Sequence, residues 1–337
     1  MNKAYETPQL DYIKSIHIPL YDEILQKIKS RYPKRTRKIY ERELRSIELV
    51  YNILNSKTLP IIRLERFLKN LHVFYWSLIE IGFDRKTIDN SIRCIKKLRL
   101  MAKRFWVYYR NIIVTEEDPR VIRKIGNEAR GRMLSQAKKC SKSFEYLKNL
   151  VIFLENLPSI DPYKKTIIVA GPPNAGKSTF VNNVSSAKPE IAAYPFTTKK
   201  IILGHYREGH ESIQIIDTPG ILDRPFVEMN NIERMAIFAL KFLTGLVIFI
   251  VDPSPFSYMN LENQFKIIKQ IEGIMPKKPL VVVINKVDTL EKSKIDQIEK
   301  ELRKRIQHNN IYRASLVNKE ESIKILIEVI KSLYPSP

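Results

Sequence analysis

The chain has 337 residues, of which 44% are hydrophobic and 28% are charged, and its formal net charge is +22. A chain of this length can bury two hydrophobic cores, so we expect two domains. The sequence lacks a run of 18 uncharged apolar residues and residues 1–11 lack an apolar signal core, so we expect a cytoplasmic protein without a transmembrane segment.

The basic charge is concentrated in the first half of the chain. Residues 1–160 contain 33 Lys and Arg against 17 Asp and Glu, whereas residues 161–337 contain 25 against 19. Such a field attracts polyanions such as RNA, or an anionic membrane surface. Solvated basic helix faces in a Lys- and Ile-rich sequence are the alternative, and we favour nucleic acid.

Residues 1 to about 157 are predicted to be helical. Glycine is scarce there, and apolar residues recur every three or four positions in stretches such as YERELRSIELVYNIL. This spacing is typical of amphipathic helices packed as an antiparallel bundle. Pro33, Pro60 and Pro119 fall where helix starts are expected, which gives about five helices.

One stretch of this half, CIKKLRLMAKRFWVYYRN, interleaves cationic and aromatic side chains. Such a mixture can hold a phosphate backbone and stack on exposed bases. At helical spacing the rings more often belong to the core, and core is the interpretation that we favour for most of them. The cations are Lys96, Lys97, Arg99, Lys103, Arg104 and Arg110, and the aromatic residues are Phe105, Trp106, Tyr108 and Tyr109.

Cys94 and Cys140 are the two cysteines of the chain. They form no Cys-x-x-Cys pair and have no histidines nearby that would indicate zinc. We expect both to be reduced, buried thiols.

The pattern changes near residue 160, where ENLPSIDPYKK contains two prolines. Beyond it the short apolar runs KTIIVAG, SIQIID, GLVIFIVD and PLVVVINK alternate with polar or helical sequence. We predict a basic helical domain over residues 1–160 and an α/β domain with a mainly parallel sheet flanked by helices over residues 161–337. Ligand-binding residues should gather at the carboxyl ends of the strands.

A phosphate-binding loop is predicted at GPPNAGKS, residues 171–178, between a strand and a helix. Its glycines would let backbone N–H groups surround the phosphates. Lys177 would reach the β- and γ-phosphates, and the Ser178 hydroxyl would ligate Mg²⁺. This loop indicates a nucleoside triphosphate and does not specify the base.

The base is indicated by VINKVD, residues 283–288. The Asp288 carboxylate offers acceptors to the ring N–H and the exocyclic amine of guanine, whereas adenine presents an acceptor at that ring position. Asn285 would tether the neighbouring loops, and Lys286 would lie along the purine face. These residues predict GTP.

Two segments between these motifs are predicted to respond to the γ-phosphate. In IIDTPG, residues 215–220, Asp217 would hold Mg²⁺ through water, and the Gly220 N–H would contact the γ-phosphate. In YPFTTKK, residues 194–200, either threonine could bring a hydroxyl to Mg²⁺ and a carbonyl toward the attacking water. We choose Thr198 over Thr197.

The series GPPNAGKS, YPFTT, DTPG and NKVD resembles the translation-factor-related class of GTPases, and YPFTT with GH at 204–205 is similar to its Obg group. The run from EARGRMLSQAKK to AGPPNAGKSTF closely resembles the nucleolar GTP-binding protein (Nog) family. In that family a helical N-terminal domain with a Gly-Arg-Met segment precedes the GTPase domain. Gly131, Arg132 and Met133 occupy that segment here.

The resemblance implies a GTPase that assists maturation of the large ribosomal subunit and docks on ribosomal RNA through its basic helical domain. GTP would be the substrate, Mg²⁺ the cofactor, and the large subunit or its precursor the partner. Eukaryotic relatives carry a long C-terminal extension. Because this chain stops at Pro337, we expect a compact, archaeal-type member, and we expect a monomer.

Three features of the sequence affect the expected mechanism. Ile221 stands where Ras-like GTPases carry a water-orienting Gln, so intrinsic hydrolysis should be slow. Asn174 matches an asparagine that helps to hold K⁺ in related potassium-stimulated GTPases, and stabilising the loop is an equal alternative. Ser315, in RASLVN, is the best candidate for a degenerate guanine-contacting loop.

The resulting hypothesis is a slow GTPase with Lys177, Thr198 and Gly220 in catalysis. One alternative is a GTP-dependent RNA- or membrane-binding switch with negligible hydrolysis, and another is a GTPase that acts on transfer RNA or at an anionic membrane. The predicted metal ligands are Ser178, Thr198 and Asp217 for Mg²⁺, and Asn174 for K⁺. The predicted GTP-binding residues are Gly171, Pro172, Pro173, Asn174, Ala175, Gly176, Lys177, Ser178, Thr179, Asp217, Thr218, Pro219, Gly220, Asn285, Lys286, Asp288 and Ser315.

Overall fold

The computed structural model describes residues 10–33, 38–193, 200–208, 211–218, 222–306 and 310–333. The chain divides into two compact units. The first unit comprises residues 1–71 and 83–156, and the second comprises residues 72–82 and 157–337.

Within the described residues, six α-helices precede the sheet, and five of them build the first unit after a 3₁₀ turn at Leu10–Ser15. Helix α2 packs against α1, α4 and α5, and its buried residues recur at three- and four-residue spacing, which is why this sequence forms an amphipathic helix. The helices are α1 (Tyr21–Ser30), α2 (Ile39–Lys69), α3 (Val73–Ile79), α4 (Arg85–Thr115), α5 (Pro119–Lys139) and α6 (Ser141–Glu155).

The helix start expected at Pro60 is wrong, because α2 continues through this residue. A proline inside a helix removes one backbone hydrogen bond. Packing of α2 on three neighbouring helices compensates for this loss. The Arg99 side chain of α4 also ties this part of α2 to its neighbour, since it donates to the carbonyl of Asn55 at 2.7 Å. The start expected at Pro119 is confirmed, with the Asp118 side chain accepting from the Arg120 N–H.

The expectation of two reduced thiols is also wrong, because Cys94 and Cys140 form a disulfide. Cys94 lies in α4, and Cys140 lies at the junction of α5 and α6. The packing of these helices brings the two Cα atoms to 6.0 Å across a sequence separation of 46 residues. That proximity is a property of the bundle, and the cysteine spacing alone does not contain it.

A buried ion pair joins α2 to α5. Arg130 Nη1 donates to Glu43 Oε2 at 2.5 Å, and the same nitrogen also donates to the hydroxyl of Ser46. A Cβ at Gly126, one turn before Arg130, would lie 2.3 Å from Glu43 Oε2. Glycine is therefore needed at position 126 for the two helices to approach with this pair between them.

The short helix α3 belongs to the second unit, although its sequence lies in the first half of the chain. It packs against α8, a helix of the second unit that spans Asn231–Leu240. The buried hydroxyl of Tyr75 donates to the carbonyl of Ile160 at 2.5 Å, just before the first strand. The division at residue 160 that the sequence indicated remains a prediction, and the compact unit around the sheet includes residues 72–82 as well.

In the part of the second unit that the structure describes, seven strands form one sheet in the order β2-β3-β4-β1-β5-β6-β7. Strands β4, β1, β5, β6 and β7 pair in parallel, and β2, β3 and β4 pair antiparallel. The strands are β1 (Thr166–Ala170), β2 (Glu190–Ala193), β3 (Lys200–Glu208), β4 (Glu211–Asp217), β5 (Gly245–Val251), β6 (Leu280–Ile284) and β7 (Ile311–Arg313). The other helices are α7 (Lys177–Val184), α9 (Leu261–Ile274), α10 (Lys292–Arg305) and α11 (Lys319–Leu333).

The predicted fold class is confirmed as a helical region followed by an α/β domain with a mainly parallel sheet. The four apolar runs of the sequence are β1, β4, β5 and β6, and β1 and β6 are buried along their whole length. The antiparallel strands β2 and β3 were not predicted. The parallel order places the carboxyl ends of β1, β4, β5 and β6 at one edge of the sheet, where α/β proteins bind ligands.

The aromatic residues of α4 divide between core and surface. Tyr109 is buried as predicted, and Trp106 stacks on Tyr51 with ring centroids 4.7 Å apart. Tyr108 does not fit the core interpretation, because 58% of its surface is exposed. The helix turns this one ring toward solvent because Tyr108 and Tyr109 are neighbours in sequence and lie about 100° apart around the helix.

Removing the disulfide should destabilise the first unit. The bond closes a long loop, and the chain-entropy treatment gives a stabilisation of about 4 kcal/mol for a loop of this length. We expect the urea midpoint of the first unit to fall in the double variant Cys94→Ser, Cys140→Ser. Adding dithiothreitol to the unchanged protein should lower the midpoint similarly and leave the variant unaffected. Equal midpoints with and without reductant would contradict the disulfide.

Candidate functional site

The loop between β1 and α7 requires glycine at both of its ends. Gly171 has φ 142° and Gly176 has φ 101°, and residues other than glycine rarely adopt these backbone conformations. A Cβ at Gly171 would lie 2.4 Å from the Ile250 carbonyl oxygen, and one at Gly176 would lie 2.5 Å from Asn285 Nδ2. Asn174, at the exposed tip, is also left-handed with φ 62°. The sequence pattern thus corresponds to a tightly constrained loop.

Lys177 begins α7 and folds back over this loop. Its buried ammonium donates to the carbonyl oxygens of Gly171 at 2.9 Å and of Pro172 at 2.7 Å. Burial lowers the pKa of Lys177, and the carboxylates of Asp217 and Asp223 partly offset this effect. The ammonium is therefore held at the loop. A bound anion there would replace the two neutral carbonyl acceptors with a negatively charged one, which stabilises a buried ammonium better.

The first turn of α7 faces the same loop with backbone donors. The first N–H groups of a helix have no intrahelical acceptor, and they carry the positive end of the helix dipole. Such a terminus after a glycine-rich loop binds phosphate. The remaining predicted residues of this region are Pro172, Pro173, Ala175 and Thr179, which lie in the loop or in this first turn.

Ser178 and Asp217 meet beside the loop. The parallel register pairs Val169 of β1 with Asp217 of β4, and the Ser178 hydroxyl donates to Asp217 Oδ2 at 2.5 Å. Asp217 is fully buried, and its Oδ1 has no hydrogen-bond partner in the described part of the chain. Burial raises the pKa of the Asp217 carboxyl, and the Ser178 hydrogen bond and the Lys177 charge partly offset this.

These two side chains fit a magnesium ion. Mg²⁺ prefers hard oxygen ligands and is commonly held by one or two protein oxygens together with substrate phosphates and water. A hydroxyl in contact with a buried carboxylate that keeps one free oxygen is such a donor set. The described residues contain no group of three or more His, Cys, Asp or Glu side chains that could hold a metal ion by themselves. Phosphates and water would therefore complete the coordination.

Thr218 continues from Asp217 and is buried, with its hydroxyl donating to the Val169 carbonyl at 2.8 Å. The next predicted residues, Pro219, Gly220 and Ile221, lie outside the described residues. The same is true of Thr197 and Thr198. The structure therefore brings together the phosphate-loop and Asp217 parts of the site and does not describe the predicted switch residues.

Asn285, at the end of β6, joins two loops. Its Nδ2 donates to the Ala175 carbonyl at 2.7 Å, and its Oδ1 accepts from the Leu316 N–H at 2.8 Å. Asn285 is buried. The phosphate loop and the β7–α11 loop are thereby held together by one amide side chain, as the motif indicated.

Lys286 and Asp288 follow Asn285 on the exposed side of this tether. Lys286 has φ 58°, and its ammonium forms an ion pair with Asp252 Oδ2 at 2.6 Å. Asp288 lies in the 3₁₀ turn Val287–Thr289 and is exposed. Ser315 lies in the β7–α11 loop, beside Leu316, and its N–H donates to Glu321 Oε2 at 2.7 Å. All four predicted base-site residues thus lie around the ends of β6 and β7.

The sequence interpretation missed Asp252 and Glu321. Asp252 is buried after β5, where it fixes the Lys286 side chain, and its signal was the acidic residue that ends the run GLVIFIVD. Glu321, in the first turn of α11, occupies the Ser315 N–H. No motif distinguishes this glutamate from the charged residues around it, so only the fold reveals its role.

Comparisons with known proteins match both halves of the chain. Residues 20–161 match the family described as NOG1 N-terminal helical domain, and residues 166–286 match the family described as 50S ribosome-binding GTPase. Nucleolar GTP-binding protein 1 of Caenorhabditis elegans is 34% identical over 76% of this chain and 39% of its own length. The nucleolar GTP-binding protein 1 of Arabidopsis thaliana is 30% identical over 80% of this chain and 40% of its own length.

The chain belongs to the nucleolar GTP-binding protein family. It therefore carries a GTPase domain of the phosphate-loop class. A crystal structure named for nucleolar GTP-binding protein 1 of Plasmodium falciparum is 33% identical, covers 52% of this chain and 89% of its own, and has a TM-score of 0.45. The chain spans about two fifths of the length of the curated family members that it matches. Within the described ranges, no helix has the length and apolar character needed to cross a membrane.

Replacing Asn285 should loosen the phosphate loop. In Asn285→Ala, the Ala175 carbonyl and the Leu316 N–H lose their partner, and each buried unsatisfied group costs about 1–3 kcal/mol. We expect lower thermal stability and weaker binding of both GDP and GTP, measured by scanning fluorimetry and calorimetry. Asn183→Ala is the matched control, because Asn183 contacts the Leu316 carbonyl and not the phosphate loop. Equal nucleotide affinities in both variants would contradict the tether.

Asp217→Asn should separate stability from metal dependence. A carboxyl whose pKa is raised by folding destabilises the folded state above its unfolded pKa, so near neutral pH the neutral amide should leave the nucleotide-free protein at least as stable. Nucleotide affinity should lose most of its Mg²⁺ dependence, measured by titration with and without EDTA. Asp288→Asn, the control, should keep the Mg²⁺ dependence and lose guanine preference. An unchanged metal dependence in Asp217→Asn would exclude this ligand.

Proposed function

We propose that the protein binds and hydrolyses GTP and acts as a nucleotide-controlled assembly factor of the large ribosomal subunit, docking on ribosomal RNA through its basic helical domain. The observation that carries this proposal is the convergence of Lys177, the Ser178–Asp217 pair and the Asn285 tether at one edge of the sheet. The family supports both parts, since the matching models are a GTPase domain and a helical domain of nucleolar proteins.

In this proposal, the phosphates lie in the loop from Gly171 to Gly176. The N–H groups of the loop and of the first turn of α7 bind phosphate oxygens, and the Lys177 ammonium moves from its two carbonyl acceptors to the β- and γ-phosphates. Guanine is bound by Asp288, with Lys286 along the ring, held in place by Asp252. Ser315 is the proposed contact from the β7–α11 loop.

Ser178 and Asp217 would hold Mg²⁺, with Thr198 as a further proposed ligand. When bound, Mg²⁺ neutralises charge on the β- and γ-phosphates. Gly220 and Thr198 are the proposed contacts to the γ-phosphate and the attacking water. Because Ile221 carries an aliphatic side chain in place of a water-orienting amide, we propose slow intrinsic turnover. Potassium at Asn174 is the proposed source of additional positive charge.

A route from nucleotide to helical domain is suggested by α3. Helix α8 follows the DTPG segment along the chain, and α3 packs against α8. Both ends of the segment containing α3 continue directly into the first unit, at residues 71 and 83. A displacement of α8 on GTP hydrolysis would therefore act on the chain at the two points where the helices of the first unit end and begin.

The partner is proposed from charge and from the family. The helical half holds most of the excess cations of the chain, as expected for a partner rich in phosphate. The relatives are named nucleolar, and one family model is described as ribosome-binding. For this chain we propose the cytoplasm as compartment and a monomer as the acting form.

A switch with negligible hydrolysis is the second candidate, and it is favoured by Ile221 alone. Turnover of GTP measured with K⁺ and then with Na⁺ separates the two candidates. Multiple turnovers that are faster in K⁺ than in Na⁺ support the enzyme. The substitution Asn174→Ala should then abolish the difference between the two salts. An absence of turnover in either salt supports the passive switch.

The proposal is tested by sedimentation of the purified protein with large and with small ribosomal subunits. We expect binding to the large subunit that differs between GDP and a non-hydrolysable GTP analogue and weakens at higher salt, because phosphate contacts release counterions. Lys177→Ala should lose the nucleotide difference while keeping salt-sensitive binding. Equal binding to both subunits, or binding to neither, would exclude ribosome assembly and direct attention to transfer RNA or an anionic membrane.

A further inference from the structure

A groove of about 570 Å³ lies on the first unit between α4 and α5. It is remote in sequence from every residue of the nucleotide site. One wall comes from α4 and the other from α5. The lining residues are Phe105, Glu128, Gly131, Arg132, Ser135 and Gln136.

Gly131 leaves this groove open without serving the packing of the helices. Apart from the nearby backbone of α5 itself, a Cβ at this position would meet no heavy atom of the described residues within 4 Å, and Gly131 lies in the interior of α5 with no left-handed backbone. Gly126 in the same helix is the opposite case, because a Cβ there would collide with Glu43. Glycine in a helix interior destabilises it relative to alanine. A glycine that packing does not require, on the wall of a groove, gives a ligand close access to the helix.

The groove combines an aromatic wall with an oriented guanidinium. The rings of Phe105 and Tyr109 lie 6.4 Å apart, and the Tyr109 hydroxyl donates to Glu128 Oε1 at 2.9 Å. Arg132 pairs with the same carboxylate at 2.7 Å, and its guanidinium lies 5.8 Å from the Tyr109 ring centroid. The negative charge of Glu128 is therefore already compensated. Ser135 adds a hydroxyl that can donate or accept hydrogen bonds.

Cations and an exposed ring border the groove on α4. Tyr108 is 58% exposed and meets Tyr109 edge to face at 5.0 Å, so it extends the aromatic wall to the surface. Lys97, Arg104 and Tyr108 recur at seven- and four-residue spacing, so they share one face of α4, next to the face that carries Phe105. Lys97 and Arg104 are exposed, and neither forms an ion pair within the described ranges.

We propose that this groove binds an unpaired base of an RNA strand, with Lys97 and Arg104 on the adjoining phosphates. The proposal deepens the proposed function and rests on it for the choice of RNA. Paired bases inside an A-form helix are stacked and their edges are hard to reach, whereas single-stranded loops present bases to aromatic rings and to guanidinium planes. Aromatic walls, hydrogen-bonding groups and uncompensated cations on one surface match that chemistry.

The test is fluorescence anisotropy of the full chain with a short labelled single-stranded RNA of mixed uridine and adenosine, and with a duplex of equal length. Gly131→Leu fills the groove, and it should weaken single-strand binding about tenfold or more while leaving duplex binding nearly unchanged. Tyr108→Ala should act in the same direction. Gly131→Ala is the folding control, because one methyl group meets no neighbour and favours the helix. It should raise the melting temperature and retain most of the affinity.

Charge specificity needs its own control. Arg104→Gln should reduce the dependence of single-strand affinity on salt, because one phosphate contact is lost. Lys29→Gln removes an equal charge from the exposed surface of α1 in the same unit and should leave both affinity and salt dependence unchanged. Equal effects of these two substitutions would overturn the proposal in favour of a diffuse field.

Further outcomes separate this proposal from the wider function. If Gly131→Leu binds single-stranded RNA as well as the unchanged protein does, the groove is excluded, while salt-sensitive sedimentation with the large subunit would leave the ribosomal proposal standing. If the unchanged protein binds no RNA and does not sediment with the large subunit, both proposals fail. Vesicles of phosphatidylglycerol that bind the unchanged protein and not Gly131→Leu would identify a lipid occupant and overturn the RNA assignment.

Discussion

The two hydrogen bonds of Asn285 are the constraint on which the nucleotide site depends. They hold the phosphate loop to the β7–α11 loop across the buried end of the sheet. Their geometry also excludes a side chain at Gly176, because Asn285 Nδ2 occupies the space that a Cβ would take. Gly176 precedes α7, so the same contact sets the position of Lys177 and Ser178. The proposed base-binding loop and the phosphate loop are thus joined through one amide side chain.

The burial of the Asp217 carboxylate lowers the stability of the folded protein. A fully buried carboxylate with one oxygen unpartnered in the described structure is destabilising, and its raised pKa expresses that cost. The Ser178 hydroxyl relieves it only in part. The proposed Mg²⁺ would restore interactions that water no longer supplies to this carboxylate. The stability of the nucleotide-free protein and the proposed metal binding would therefore be opposed at this one residue.

Much of this arrangement was accessible from the sequence, and the remainder depends on packing. β1, β4, β5 and β6 were predictable because buried parallel strands are continuous apolar runs, whereas β2 and β3 carry polar residues and β7 has only three residues. The phosphate loop and Asn285 were predictable because their motifs require particular residue types at particular positions. The Cys94–Cys140 bond, the Glu321 contact and the exposure of Tyr108 all arise from how helices pack, which local pattern does not encode.

The position of α3 has a consequence for experiments that dissect the molecule. The backbone passes between the two units three times, near residues 71, 82 and 156, so a single cut near residue 156 leaves α3 on the fragment that carries the helices of the first unit. An excised fragment that begins at residue 161 would lack α3, with its buried Phe74, Leu78 and Ile79, and would expose the apolar surface of α8 that α3 covers. Such a fragment is prone to aggregate. Insolubility of the isolated GTPase half would then indicate the loss of α3, which comes from the first half of the sequence.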